Sequence, residues 1–146
     1  MNIKRIKADL ETAKKLTDAS GNPTNDEYLY DIAAYHTQQA VEKSLKYFLH
    51  NVYGEDDTAK RYRTHNISSL LLMISEYDVN FLRDNAEIVK MSDEITGWEA
   101  SSRYGESLVA TRENIIKALK CAECLWNKIQ SIEEEKDKTK SKPFHR

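Results

Sequence analysis

Turn-making residues are scarce in this chain: four glycines and two prolines in 146 residues, where average usage would supply about 12%. A sandwich or barrel needs a turn signal roughly every 8–12 residues, so the scarcity excludes those all-β classes. Long apolar runs are missing too. No stretch approaches the 18 residues of a membrane span, and no 7–15-residue apolar run follows the basic start MNIKRIKADLETAKK as a secretory signal would require. There are only two cysteines, which with no export signal leads us to expect a reducing cytoplasm. A strong net charge is also lacking. Lys and Arg number 22 against 24 Asp and Glu, a net −2, so no global basic field advertises nucleic acid, although a local basic patch remains open. What is present is 40% apolar and 32% charged residues, too apolar for disorder. The expectation is a soluble, largely helical single domain.

The six breakers, Gly21, Pro23, Gly54, Gly97, Gly105 and Pro143, fall where helical patterns stop. Residues 3–19 carry Ile3, Ile6, Leu10, Ala13 and Leu16 at spacings of three or four, an amphipathic helix. A turn cluster over 20–25 follows, with Asn25 or Asp26 as the next cap. Residues 26–53 contain no Gly or Pro, and Leu29, Ile32, Ala33, His36, Ala40 and Tyr47 trace one stripe, widened by Val41, Leu45, Phe48 and Val52. This length suits the central helix of a bundle, ended by Gly54 at the position after its C-cap. The charged connection 55–64 is expected to be exposed.

A third helix starts with Asn66 as N-cap, places Ile67, Leu70, Leu71 and Ile74 on one face, and ends near Tyr77. A fourth covers about 80–97, with Trp98–Tyr104 read as a loop or broken helix between Gly97 and Gly105. A second long helix spans about 107–134 through Leu108, Ile115, Leu119, Ala122, Trp126 and Ile129. The expected fold is all-α, an antiparallel up-and-down bundle of four or five helices over residues 1–132. Residues 133–146 form a charged tail that frays, is disordered, or extends the helix into solvent.

Most well-marked chemistries are absent. Cys121 and Cys124 make a C-x-x-C deep inside a helix, with no second pair and no suitably spaced His, so we read buried structural thiols and no metal or cofactor site. The residues three before each His are Ala33, Tyr47, Tyr62 and Lys142, which excludes the E-x-x-H of di-metal bundles. No glycine-rich phosphate loop, nucleophile elbow or H-E-x-x-H occurs.

The polar residues of the second helix are more informative. Gln38, Gln39, Glu42, Lys43 and Lys46 recur at intervals of three and four, with Glu42 and Lys46 in the favourable i,i+4 order. Spacing alone reads them as a solvated face. His65 precedes the cap Asn66, with Arg61 and Arg63 just upstream, so two guanidiniums, an imidazole and a helix N-terminus are placed to meet phosphate. Arg103 and Tyr104 offer a second guanidinium and an aromatic ring, suited to a phosphate or a base.

Three ordered segments carry a family likeness: AAYHTQQAVEKSLKYFL (33–49), THNISSLL (64–71) and SSRYGES (101–107). Together they resemble the HEPN domain, whose name stands for higher eukaryotes and prokaryotes nucleotide-binding, over about residues 3–132. The resemblance implies an up-and-down helical bundle that usually forms a homodimer, and prokaryotic members often stand beside a minimal nucleotidyltransferase in toxin–antitoxin or related pairs. It also implies a nucleotide or RNA ligand. Many members are metal-independent endoribonucleases using R-x(4–6)-H.

This chain departs from that motif. No Arg stands five to seven residues before His36, His50, His65 or His145, and Arg61 lies one residue too close to His65. The leading expectation is therefore a non-catalytic module that binds nucleotide, RNA or a nucleotidyltransferase through Gln39, Lys43, Lys46, Arg63, His65, Arg103 and Tyr104. The alternative is a ribonuclease with a degenerate Arg/His motif, pairing Arg61, Arg103 or Lys60 with His65.

Overall fold

A computed structural model of the chain describes residues 2–18, 27–104 and 110–141. They form α1 (Lys4–Asp18), α2 (Glu27–Tyr47), α3 (Ile67–Tyr77), α4 (Phe81–Asp84), α5 (Ala86–Tyr104) and α6 (Arg112–Ser141), with no strand among the described residues. The protein is an all-α helical bundle, as its poverty in Gly and Pro predicts. The turn at 20–25, with its caps Asn25 and Asp26, and Leu108 and Gly105 lie outside the described residues. No helix among those described is long and apolar enough to cross a membrane.

α2 is the central element. Its buried face is built from Ala33, Ala34, Ala40, Val41 and Leu45, continued by Phe48 and Leu49 just beyond its end, and the three alanines let neighbouring helices approach closely. Against it pack Ile6, Leu10 and Ala13 of α1, Leu70 and Ile74 of α3, Ile95 and Trp98 of α5, and Ile115, Leu119 and Leu125 of α6, all in one core. Each large side chain buried this way contributes about 1.5–3 kcal/mol. α5 and α6 run antiparallel. Asn114 meets Glu94 at 2.8 Å, while further along Cys121 feels the charge of Glu87.

After Tyr47 the chain tightens into one π-helical turn, Phe48–Val52. Gly54 then adopts φ +76°, and the Glu55 N–H closes the end on the Leu49 carbonyl at 2.8 Å. The left-handed glycine expected after the second helix is thus present, and its missing Cβ makes that conformation inexpensive. The start of α3 also follows expectation: the Asn66 side chain accepts the Ser69 N–H.

Several expectations are corrected. Trp98–Tyr104 is not a loop, because α5 continues through Gly97 to Tyr104. A helical glycine costs about 1 kcal/mol, which burial of Ile95 and Trp98 on either side offsets. α6 starts at Arg112 rather than 107, where the Thr111 hydroxyl caps it by accepting the Asn114 N–H at 3.1 Å. The connection 55–64 is not uniformly exposed. It contains a 3-10 turn, Lys60–Arg63, and buries Glu55 and Tyr62. Cys124 is exposed and Cys121 half-buried, so only the latter approaches the buried thiol expected. Ile32, assigned to the apolar stripe, is 45% exposed. Beyond residue 132, α6 continues as a helix to Ser141, its charged side chains over 134–139 exposed.

Candidate functional site

One edge of α2 is polar from His36 onward. His36, Gln39, Lys43 and Lys46, followed by His50 in the π turn, recur at spacings of three and four and are all half-buried. This is not the solvated face that spacing alone suggests. The residues behind the edge, Gln38 and Glu42, are 0% and 5% exposed, and burial of a charge demands partners.

Glu42 finds three of them. Its Oε1 accepts Gln38 Nε2 at 2.9 Å and His65 Nδ1 at 2.9 Å, and its Oε2 accepts Lys46 Nζ at 3.1 Å. Because an ionised carboxylate only accepts, the His65 Nδ1 must carry the proton in this contact. Gln39 joins by donating to Gln38 Oε1 at 2.7 Å. The Lys46 ammonium also lies 5.5 Å from the centre of the Tyr62 ring, and the Tyr62 hydroxyl donates to the Lys46 carbonyl. The 3-10 turn is in this way tied to α2, and it brings His65 to this edge.

A second carboxylate repeats the arrangement on the other side of the edge. Asp9 of α1, buried at 8% exposure, accepts Lys43 Nζ at 2.6 Å and His36 Nδ1 at 2.8 Å. His50 is fixed too, its Nδ1 donating to the Glu55 carbonyl at 2.8 Å. Each of these three histidines is therefore held through Nδ1 on an oxygen that can only accept. His145 lies outside the described residues.

Asp9 was not singled out in the sequence. Its signal was there: an acid between Ile6 and Leu10 on the buried stripe of α1 needs a cation from a neighbouring helix. Gln38 and Glu42 were noted, but their burial depends on how close α1 and the 3-10 turn approach α2.

Arg61 is occupied elsewhere. Its Nε and Nη2 grip the two oxygens of buried Glu55 at 2.7 and 3.0 Å, and Nη2 reaches Glu76 at 3.1 Å. These contacts raise the guanidinium's pKa further. Arg61 and the Tyr77 hydroxyl, in that order of effect, hold the Glu55 carboxyl below the usual range. Arg63 is exposed and makes no ion pair among the described residues. The N-terminus of α3 has already used two of its N–H groups, Ile67 on Thr96 Oγ1 and Ser69 on the Asn66 side chain, which reduces what it can offer an anion. Arg103 and Tyr104 end α5 as helical backbone, and their side chains lie outside the described residues.

The structure thus places Gln39, Lys43, Lys46 and His65 along one polar edge of α2. It separates Arg61 from them. Among the described residues no group of three or more His, Cys, Asp or Glu side chains converges as a metal site, and burial pushes the Cys121 thiol up to about 11, where it is a poor nucleophile.

The arrangement sets the Lys43 and Lys46 ammoniums among half-buried polar side chains. A model of the HEPN domain matches residues 3–132. The chain belongs to the HEPN domain family. No curated protein and no solved structure matches it significantly. The match spans every part of this edge, from Asp9 through His65.

Proposed function

We propose that this HEPN-domain protein is a non-catalytic module that binds nucleotide or RNA in the groove along α2. One observation carries the reading: Gln39, Lys43, Lys46 and His65 meet at one edge while Arg61, the arginine nearest to His65 in the motif sense, is clamped by Glu55 and Glu76. The cationic donors bind phosphate oxygens, and the half-buried amide of Gln39 supplies a neutral polar contact. The module works as a homodimer beside a nucleotidyltransferase, a role supported by family membership. Calorimetric titration with ATP and with a short oligoadenylate tests it. Micromolar binding that is lost in Lys43→Ala/His65→Ala supports the reading; no binding by the wild type, or equal binding by the variant, rejects it.

A ribonuclease reading is favoured by one contact, the Glu42–His65 pair. A carboxylate on Nδ1 sets the tautomer and orientation that an acid–base imidazole needs. Incubation with structured RNA in EDTA decides it: cleavage abolished in His65→Ala promotes this reading, and intact RNA retires it.

A further inference from the structure

The groove's two carboxylate-centred clusters differ in what they have left to give. At the Glu42 cluster, the Lys46 side chain is 13% exposed and lies against the Tyr62 ring. At the Asp9 cluster, Lys43 and His36 are 27% and 28% exposed. Each spends one N–H on Asp9, so the ammonium keeps two donors, and the His36 ring keeps one, at Nε2, in its imidazolium form. The clusters are close neighbours, because Lys43 and Lys46 stand three residues apart on one helix, where side chains are roughly 5–6 Å apart at Cβ. Asp9 reaches this edge from α1 and His65 from the turn before α3, so the two carboxylate clusters stand side by side along it.

From this geometry we infer that His36 and Lys43, oriented by Asp9, form a second anionic subsite beside Lys46 and His65, and that the groove selects ligands carrying two phosphates separated by a sugar. The inference rests on the nucleotide reading above and sharpens it. One phosphate engages the Lys46 ammonium beside His65, and the second engages the ammonium of Lys43 and the Nε2–H of the His36 imidazolium. A single phosphate fills one subsite only, and a pyrophosphate concentrates its charge at one point instead of spanning both. The shared chemistry is that of one backbone step of a nucleotide chain or of a nucleoside 3′,5′-bisphosphate. Asp9 is the positioning residue: it takes one N–H from Lys43 and one from His36 and so fixes where the rest of each side chain points.

The test compares three probes by calorimetry at matched ionic strength: adenosine 5′-monophosphate, ADP and adenosine 3′,5′-bisphosphate. The bisphosphate should bind about tenfold tighter than either of the others, the worth of one added charge-assisted contact. In His36→Gln the ratio should fall towards one, and Lys43→Arg, which keeps the charge, should retain most of it. A dinucleotide carrying a 5′-phosphate should match the bisphosphate if the source is a nucleotide chain, and bind more weakly if it is the free nucleoside. Equal affinity of ADP and the bisphosphate overturns the inference while leaving the nucleotide reading standing. So does a ratio unmoved by His36→Gln in a variant that melts as the wild type does. Failure of all three probes to bind overturns the nucleotide reading itself.

Discussion

Glu42 and His65 meet at 2.9 Å across 23 residues of chain, and that contact ties the turn entering α3 to the centre of α2. The carboxylate is buried, and it also holds Lys46 and Gln38. Its removal leaves a largely buried ammonium and amide without their acceptor. Glu42→Ala should therefore destabilise the fold by about 2–4 kcal/mol, read as a drop in the urea midpoint at unchanged slope. Glu42→Gln, which can still accept, should cost less. A stability equal to wild type in Glu42→Ala would show that the network is not formed.

Acid should weaken the clamp around Arg61 by protonating Glu55. The Glu55 pKa is lowered in the folded state by Arg61 and then by Tyr77. A lowered carboxyl contributes stability that is fully present above the unfolded value of about 4.3 and is lost as pH falls through the folded one. The slope of stability against pH below about 4.3 should be shallower in Glu55→Gln than in the wild type. An identical acid profile for the two proteins would remove Glu55 from the account.

Two glycines predict opposite signs. Gly54 sits at φ +76°, where a Cβ costs about 1–2 kcal/mol, so Gly54→Ala should lower the melting temperature. Gly97 is helical with nothing within 4 Å of a built Cβ, so Gly97→Ala should stabilise by about 0.5–1 kcal/mol. Paired thermal melts check both.

The two cysteines should separate kinetically. Cys124 is exposed, whereas burial raises the Cys121 thiol to about 11. A maleimide at neutral pH should modify one thiol rapidly and the second only on unfolding, and Cys124→Ser should remove the fast phase. Two equally fast phases would contradict the burial of Cys121.

Much of the bundle was legible from periodicity. Ile67, Leu70, Leu71 and Ile74 sit where a 3.6-residue repeat puts them, and Asn66 and Gly54 act as the helix-end rules predict. The extent of α5 was not legible, since a glycine reads as a break unless the packing of Ile95 and Trp98 around it is known. The groove was half legible. Gln39, Lys43, Lys46 and His65 could be named from spacing, but spacing cannot tell a solvated charge from a buried one. That distinction rests on Asp9 arriving from α1, which its place on the buried stripe of that helix foreshadows, and on Arg61 turning away to Glu55, a tertiary fact with no local signature. Sedimentation adds a check on assembly: twice the 16.9 kDa chain mass at micromolar concentration is expected, and a monomer would remove the homodimer from the proposal.

The most direct test of the α2 groove is an NMR titration with adenosine 3′,5′-bisphosphate, following the imidazole signals and the α2 amides. The account predicts saturable shifts at His36, Gln39, Lys43, Lys46 and His65, with the Cys121–Cys124 face of α6 silent. Shifts confined to other surfaces, or none at millimolar ligand, would contradict it.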